Sequence, residues 1–236
     1  MIRRHFEFRS TIATVLGEDP VHIEVGCAAM IRARQSLERY IARDPFFRDT
    51  FEPYKPDSLE QVILRMADAA GDAGVGPMAA VAGAIAWAGV DAMCEAGATF
   101  AVIDNGGDIA LISDRDIRIG LHAGSAKISD KCAFIIPPQD RVLGCCTSSA
   151  TVGPSISLGI ADAVTVFSPD VALADAWATR VCNEITPSDQ HVLELPDPAK
   201  VTGIFVVAGE CIMKWGVLPR MVRARVDERI ITAGGI

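Results

Sequence analysis

In the stretch ALADAWATR (172–180), Asp175 and Thr179 stand four residues apart among alanines and one tryptophan. On a helix that spacing projects both side chains from one face, with Cβ atoms about 6 Å apart. A carboxylate and a hydroxyl so placed can reach one hard cation. Mg2+ prefers oxygen ligands and commonly takes one or two protein carboxylates, with phosphate and water filling the rest. A simple Asp–Thr hydrogen bond on a helix flank is the plainer use of the same spacing. The small neighbours Ala174, Ala176 and Ala178 leave room for a ligand, though alanine also simply favours helix.

Two further polar islands interrupt the apolar pattern. In DNGGD (104–108), Asn105-Gly106-Gly107 supplies the positive φ angles of a tight hairpin turn. The same glycines, flanked by Asp104 and Asp108, also let a ligand come close to the backbone. In CCTSSATVGPS (145–155), Thr147, Ser148, Ser149, Thr151 and Ser155 offer hydroxyls and Gly153 frees a backbone N–H. Such a loop can cradle a phosphate. It lacks G-K-[ST] and is no Walker loop. Cys146 beside these hydroxyls is a candidate nucleophile, with no basic residue near it in sequence to lower its pKa.

The elements that must hold these islands follow from the pattern of the 236 residues. The first 25 residues alternate and predict a hairpin turning at GEDP (17–20). Met30, Ala33, Leu37 and Ile41 recur at helical spacing over 28–42. The Pro-rich connection 43–58 carries three phenylalanines, which argues that it packs. A helix is expected from Asp57 or Ser58 by capping-box spacing, with Leu59, Val62, Ile63 and Met66 buried. Pro77 opens a long third helix to about Glu95, crowded with Ala and Gly. Glycine inside a helix costs up to about 1 kcal/mol, so a second backbone or a ligand must approach closely there. Strands are read at TFAVIDNGGDIALIS, RDIRIGLHAG, KCAFIIPP and ADAVTVFS, and VLGCCTSSATVGPS is read as a loop. Asp170 caps the helix of the opening motif, and VTGIFVVAGECIMKWG is a hairpin turning at 208–210, before a short strand in RARVDERI. Hairpins dominate over βαβ alternation. The chain is therefore expected to be one α+β domain over 1–236, an antiparallel sheet with helices packed on one side.

Composition narrows the function. Half the residues are hydrophobic and the net charge is −8, without a cluster of Lys and Arg. This argues against nucleic acid as a partner. The start MIRRHFEFRS lacks the apolar run of a signal peptide, and PMAAVAGAIAWAGV (77–90) is short for a bilayer span. A cytoplasmic protein with no membrane role is expected. Seven cysteines without a C-x-x-C pair, and four scattered histidines, form neither a disulfide framework nor a zinc site.

Taken together, the islands resemble the ApbE-like superfamily, whose best-known members are FAD-dependent protein flavinyltransferases. AGAIAWAGVD (82–91) is similar to that family's G-x-I-A-K-G-x-A-x-D helix, NGGDI (105–109) to its G-G-[ND]-I turn, and CTSSA (146–150) to its T-S-G loop. DAVTVFSPDVALADAWAT (162–179) is similar to its strand followed by A-D-A-x-x-T. The whole chain resembles a short, functionally uncharacterised branch. The resemblance implies a T-fold-like architecture, two related halves around a cleft. It implies FAD or another phosphorylated ligand lined by Asn105, Gly106, Gly107, Asp108, Cys146, Thr147, Ser148, Ser149, Thr151 and Gly153, with Mg2+ held by Asp175, Thr179 and the carbonyl of Ala86. It also implies association into a homo-oligomer. Trp87 stands where the family has a lysine, and the H-x-x-D-P-x-T-G segment and the M-G-T motif are missing. The expectation is thus an enzyme-like nucleotide site without FMN transfer to a protein. Two alternatives are a sulfur-metabolism enzyme (homocysteine formation) using Cys146, and a non-catalytic binding or assembly subunit.

Overall fold

The computed structural model describes residues 1–151 and 159–226. β1 (Ile2–Phe8) and β2 (Thr11–Gly17) form the first hairpin. Helices α1 (Pro20–Arg43), α2 (Phe46–Asp49), α3 (Gln61–Ala73) and α4 (Val81–Glu95) follow. After them come β3 (Ala101–Asn105) and β4 (Asp108–Ser113), then β5 (Ile117–Gly120) and β6 (Cys132–Ile136). β7 (Gln139–Ser148), β8 (Ala163–Ser168), α5 (Val171–Glu184), β9 (Gly203–Ala208), β10 (Cys211–Gly216) and β11 (Arg220–Arg223) complete the order.

Eight strands form one antiparallel sheet in the order β1-β2-β3-β4-β7-β8-β9-β10. Each half of it is a hairpin, a helical segment and a second hairpin: β1-β2 then β3-β4 with α4 beneath, and β7-β8 then β9-β10 with α5 beneath. The α+β expectation holds, with all long helices on one face. The other face carries a second sheet, β11-β6-β5. Phe134 of β6 packs edge-on against Phe167 and Phe205 of the large sheet, ring centroids 5.0 and 5.4 Å away. Fully burying one such ring contributes roughly 1.5–3 kcal/mol. On the helix side, Met30, Leu37, Ile63, Met66, Ile85 and Met93 are fully buried. The segment Pro77–Glu95 is long and apolar enough to cross a membrane by composition, yet Ala84, Ile85, Ala86, Val90 and Met93 are spent on this core.

Several expectations shift. The first hairpin turns at Arg9–Ser10, not at 17–20, and Val21–Gly26 is helix rather than strand. Asp19 caps that helix, accepting from Val21 N at 2.7 Å, and Pro20 fills its first turn. The helix expected from Asp57 or Ser58 begins at Gln61, and Leu59 is 96 % exposed before it. The connection does pack, through fully buried Phe47 edge-on to Tyr40. Residues 145–148 belong to β7 rather than to a loop: Cys145 and Cys146 pair with both β4 and β8, and Thr147 and Ser148 pair with β8. The last strand among the described residues is Arg220–Arg223, pairing with β6; the expected strand in RARVDERI runs past the described residues at 227.

Candidate functional site

Asp175 sits in the second turn of α5 and is 7 % exposed. Its Oδ2 accepts from Gly83 N at 2.8 Å, and the Ala82 N–H also holds it. Both donors belong to the first turn of α4, whose N–H groups have no partner within their own helix. Asp175 thus caps one helix from another. The crossing demands glycine: a Cβ at Gly83 would stand 2.7 Å from Val171 O and 2.9 Å from Asp175 Cβ. This accounts for one of the small residues that crowd α4.

Asp108 opens β4, half-buried, and the register sets it opposite Cys146 of β7. Cys146 is fully buried, and its thiol donates to Val171 O at 3.5 Å, one helical turn before Asp175. Asp108, Cys146 and Asp175 therefore converge where β4, β7, α5 and the start of α4 meet. Burial pushes the Asp175 carboxyl up to about 7, against the pull of the Gly83 and Ala82 N–H groups. Asp108 is driven well above the usual carboxylate range by burial and then by the charges of Asp175 and Asp104. The Cys146 thiol and the Thr147 N–H pull it back in part. Burial, followed by Asp108 and Asp175, raises the Cys146 thiol well above its ordinary value. A thiol held protonated in this way is not an activated nucleophile. Neither acid forms an ion pair with a cationic side chain among the described residues.

The turn beside these acids is held in place by polar contacts. Gly106 and Gly107 take φ of 74° and 103°, and Gly107 N donates to Asp104 Oδ1 at 2.9 Å. Asn105 Nδ2 donates to Ala82 O at 3.0 Å, tying the turn to the start of α4. Thr147 N donates to Gly107 O at 3.1 Å, which joins the second polar island to the first. The Thr147 hydroxyl is 2.9 Å from that of Thr165, and Ser148 ends β7. Ser149 and Thr151 turn elsewhere: Thr151 N donates to Ser149 Oγ at 3.1 Å, and Thr151 Oγ1 donates to Asp162 Oδ1 at 3.1 Å. Asp162 in turn accepts from Gly209 N at 2.7 Å. Gly153 and Ser155 lie outside the described residues. Thr179 is half-buried one turn beyond Asp175, and Ala86 is fully buried one turn beyond Gly83. Trp87 lies under Arg65, whose Cζ is 3.7 Å from the ring centroid and whose Nη2 donates to Asp91 at 2.7 Å.

Asp175 is therefore brought together with Asn105–Asp108, Cys146 and Thr147, while the Thr151 hydroxyl is turned to Asp162 and the Ser149 hydroxyl to Thr151. Ala82, Gly83 and Asp162 open two of the stretches quoted for the resemblance, AGAIAWAGVD and DAVTVFSPDVALADAWAT, but were given no role there; the glycine content of α4 was the signal for Gly83. Two cavities lie away from these acids. One, of about 430 Å³, is lined by Arg32, Ser36, Arg39, Glu60, Asp91 and Glu95; another, of about 460 Å³, lies between the sheets at Ile135, Leu143, Phe167 and Leu218.

The fold of two hairpin–helix–hairpin halves joined in one antiparallel sheet is shared with solved flavin transferases. The flavinyl transferase ApbE of Pseudomonas stutzeri, in its apo form, matches with a TM-score of 0.56 over 99 % of this chain and 98 % of that one, at 12 % identity. The flavin transferase ApbE of Vibrio cholerae matches with a TM-score of 0.53 over 91 % and 96 %, at 11 % identity. At such identities the likeness is one of fold. The AbpE_bact family, described as AbpE bacteria, matches residues 12–200, and the chain belongs to it. A UPF0280 protein of Methanoregula boonei is 60 % identical over 99 % of both chains.

Proposed function

We propose that the chain binds a flavin nucleotide, or another phosphorylated ligand, together with Mg2+ at the junction of its two halves. The observation that carries this reading is the Asp108–Asp175 pair: two desolvated carboxylates from different elements with no cationic partner among the described residues. The donor set fits the ion, since carboxylate, hydroxyl and carbonyl oxygens are what a hard divalent cation prefers. Asp175 and Thr179 would hold it from α5. Ala86 O already accepts within α4 and would offer only its second lone pair. When bound, Mg2+ would neutralise phosphate charge and polarise a phosphoryl oxygen.

The chain's own residues do the rest. The resemblance assigns to a phosphate the Gly106-Gly107 turn and the segment Thr147, Ser148, Ser149, Thr151 and Gly153; the Thr147 N–H bond to Gly107 O sets that segment beside the turn, and a bound phosphate would have to replace the Thr147–Thr165 and Thr151–Asp162 bonds. The site is read as that of an enzyme distinct from a protein flavinyltransferase. Trp87 is packed under Arg65 where the family has a lysine, and the loop after Ser149 carries no histidine. The buried, protonated thiol of Cys146 speaks against the sulfur-metabolism alternative. Fluorescence titration of the purified protein with FAD, with Mg2+ or with chelator, tests the reading. Mg2+-dependent quenching that Asp175→Asn removes is expected; no binding of FAD or ADP at about 100 µM ligand overturns it.

A further inference from the structure

The two sheets part at one end. The cavity of about 460 Å³ lies there, beside the end of β6, the first half of β7, the end of β8 and the residue before β9. The described residues break off at Thr151, Gly159 and Val226, all towards the other end. Thr151 is bonded to Asp162 just before β8, and Val226 N donates to Asp130 O just before β6. Asp175 lies on the opposite face of the large sheet, so the cavity is separate from the junction of the two halves.

Its walls are set by local structure. After β10 the chain turns at Gly216, φ 68°, and Val217 N donates to Thr202 O at 2.7 Å. A Cβ at Gly203 would stand 2.4 Å from Val217 O, so glycine lets the strap 217–219 lie across the start of β9. Leu218 of the strap and Leu143 of β7 are half-buried walls, over fully buried Ile136 and Phe167. Val217 is 80 % exposed at the lip. Two polar side chains at the mouth are already spent: Gln139 Nε2 donates to Pro137 O at 2.8 Å, and Thr202 Oγ1 donates to Phe167 O at 2.8 Å. Two are not. Asp116 and Arg220 line the cavity, are exposed, and make no ion pair or side-chain hydrogen bond among the described residues. They flank β6 from the β5 and β11 sides, two strand spacings or about 10 Å apart.

We propose that this cavity binds a free amino acid with a bulky apolar side chain. The side chain lies against Leu143 and Phe167, the carboxylate on Arg220 and the ammonium on Asp116. The volume falls in the range of small-molecule sites, about 300–1,000 Å³. The charges select the class. An uncharged apolar molecule leaves both ions at the mouth unpaired. A fatty acid or an alkylamine meets one of them and faces a like charge at the other. Only a ligand carrying both charges complements both. The arginine fork suits a carboxylate. An aromatic body fits best, because Phe167 already meets Phe134 edge-on at 5.0 Å and a further ring extends that arrangement.

Isothermal titration calorimetry of the full chain tests this with L-phenylalanine as probe. Binding is expected below about 1 mM. L-Alanine lacks the apolar body, and phenethylamine and 3-phenylpropionate each lack one charge; each is expected to bind at least about tenfold more weakly. Arg220→Glu and Asp116→Lys alter exposed side chains and are each expected to weaken L-phenylalanine by a similar factor, with far-ultraviolet circular dichroism checking the fold. The ligand series needs no variant. Absence of L-phenylalanine binding, equal binding of either single-charge analogue or of L-alanine, or full affinity in both folded variants overturns the proposal.

Discussion

Replacing Asp175 by asparagine should make the protein more stable at alkaline pH, not less. Asn keeps an oxygen to accept from Gly83 N, and its size matches the space that Gly83 leaves between α4 and α5. What it removes is the cost of ionising a buried acid. A carboxyl whose folded pKa lies above its unfolded value contributes stability that is complete below the unfolded pKa and is lost as pH rises through the folded one. For Asp175 the window runs from the ordinary 3.8 to about 7. The whole displacement is worth at most about 4 kcal/mol, and coupling to Asp108 divides it between the two acids. Urea denaturation of both proteins in chelator, across about pH 5 to pH 8, reads the difference directly. The wild type should lose stability relative to Asp175→Asn as pH rises through that window. Mg2+ added at the alkaline end should restore the wild type and leave the variant unmoved, because a cation that binds only the folded, ionised site stabilises by mass action. A difference between the two proteins that does not change with pH would refute the reasoning about the buried charge. Failure of Mg2+ to stabilise the wild type would refute its assignment as a cation ligand.

Three further outcomes test the packing around the site. Gly76→Ala should be severely destabilising, beyond the usual overpacking cost of about 1–3 kcal/mol, since its Cβ would lie 2.0 Å from the Thr50 carbonyl oxygen, a backbone atom with nowhere to go; the urea midpoint measures it. Asn105→Ala should cost roughly 1 kcal/mol by releasing Ala82 O, and should weaken FAD binding if the turn must stay docked on α4. Under native conditions iodoacetamide should label Cys94 and Cys211, both partly exposed, and spare Cys145 and Cys146, as peptide mass spectrometry would show.

How far the sequence speaks depends on whether a feature is local. The Asp170 cap, the Asn105-Gly106-Gly107 turn and the β9–β10 hairpin are each set by residues within a few positions, and each is found where the pattern puts it. The first hairpin misleads because Gly17-Glu18-Asp19-Pro20 suits a turn as well as it suits a helix start. Only the continuation of the stripe through Cys27 and Met30 decides for the helix, while the true turn uses Arg9 at φ 57°, a residue type that gives no turn signal. Cys145 and Cys146 read as loop because serine and threonine follow them, yet they alternate as a strand should, one facing each layer of the core. The acid pair is less legible still. Asp108 and Asp175 meet only because the β4–β7 register puts Asp108 beside Cys146 and because α5 lies close enough for the Cys146 thiol to reach Val171 O. A lone sequence carries the spacing of Asp175 and Thr179 along one helix, but not the lateral position of that helix against a strand edge. The chemistry proposed for this site depends on that second, non-local distance, which is why Asp108 stood in the sequence as a turn flank and a ligand-lining residue by resemblance, and stands in the fold beside Asp175.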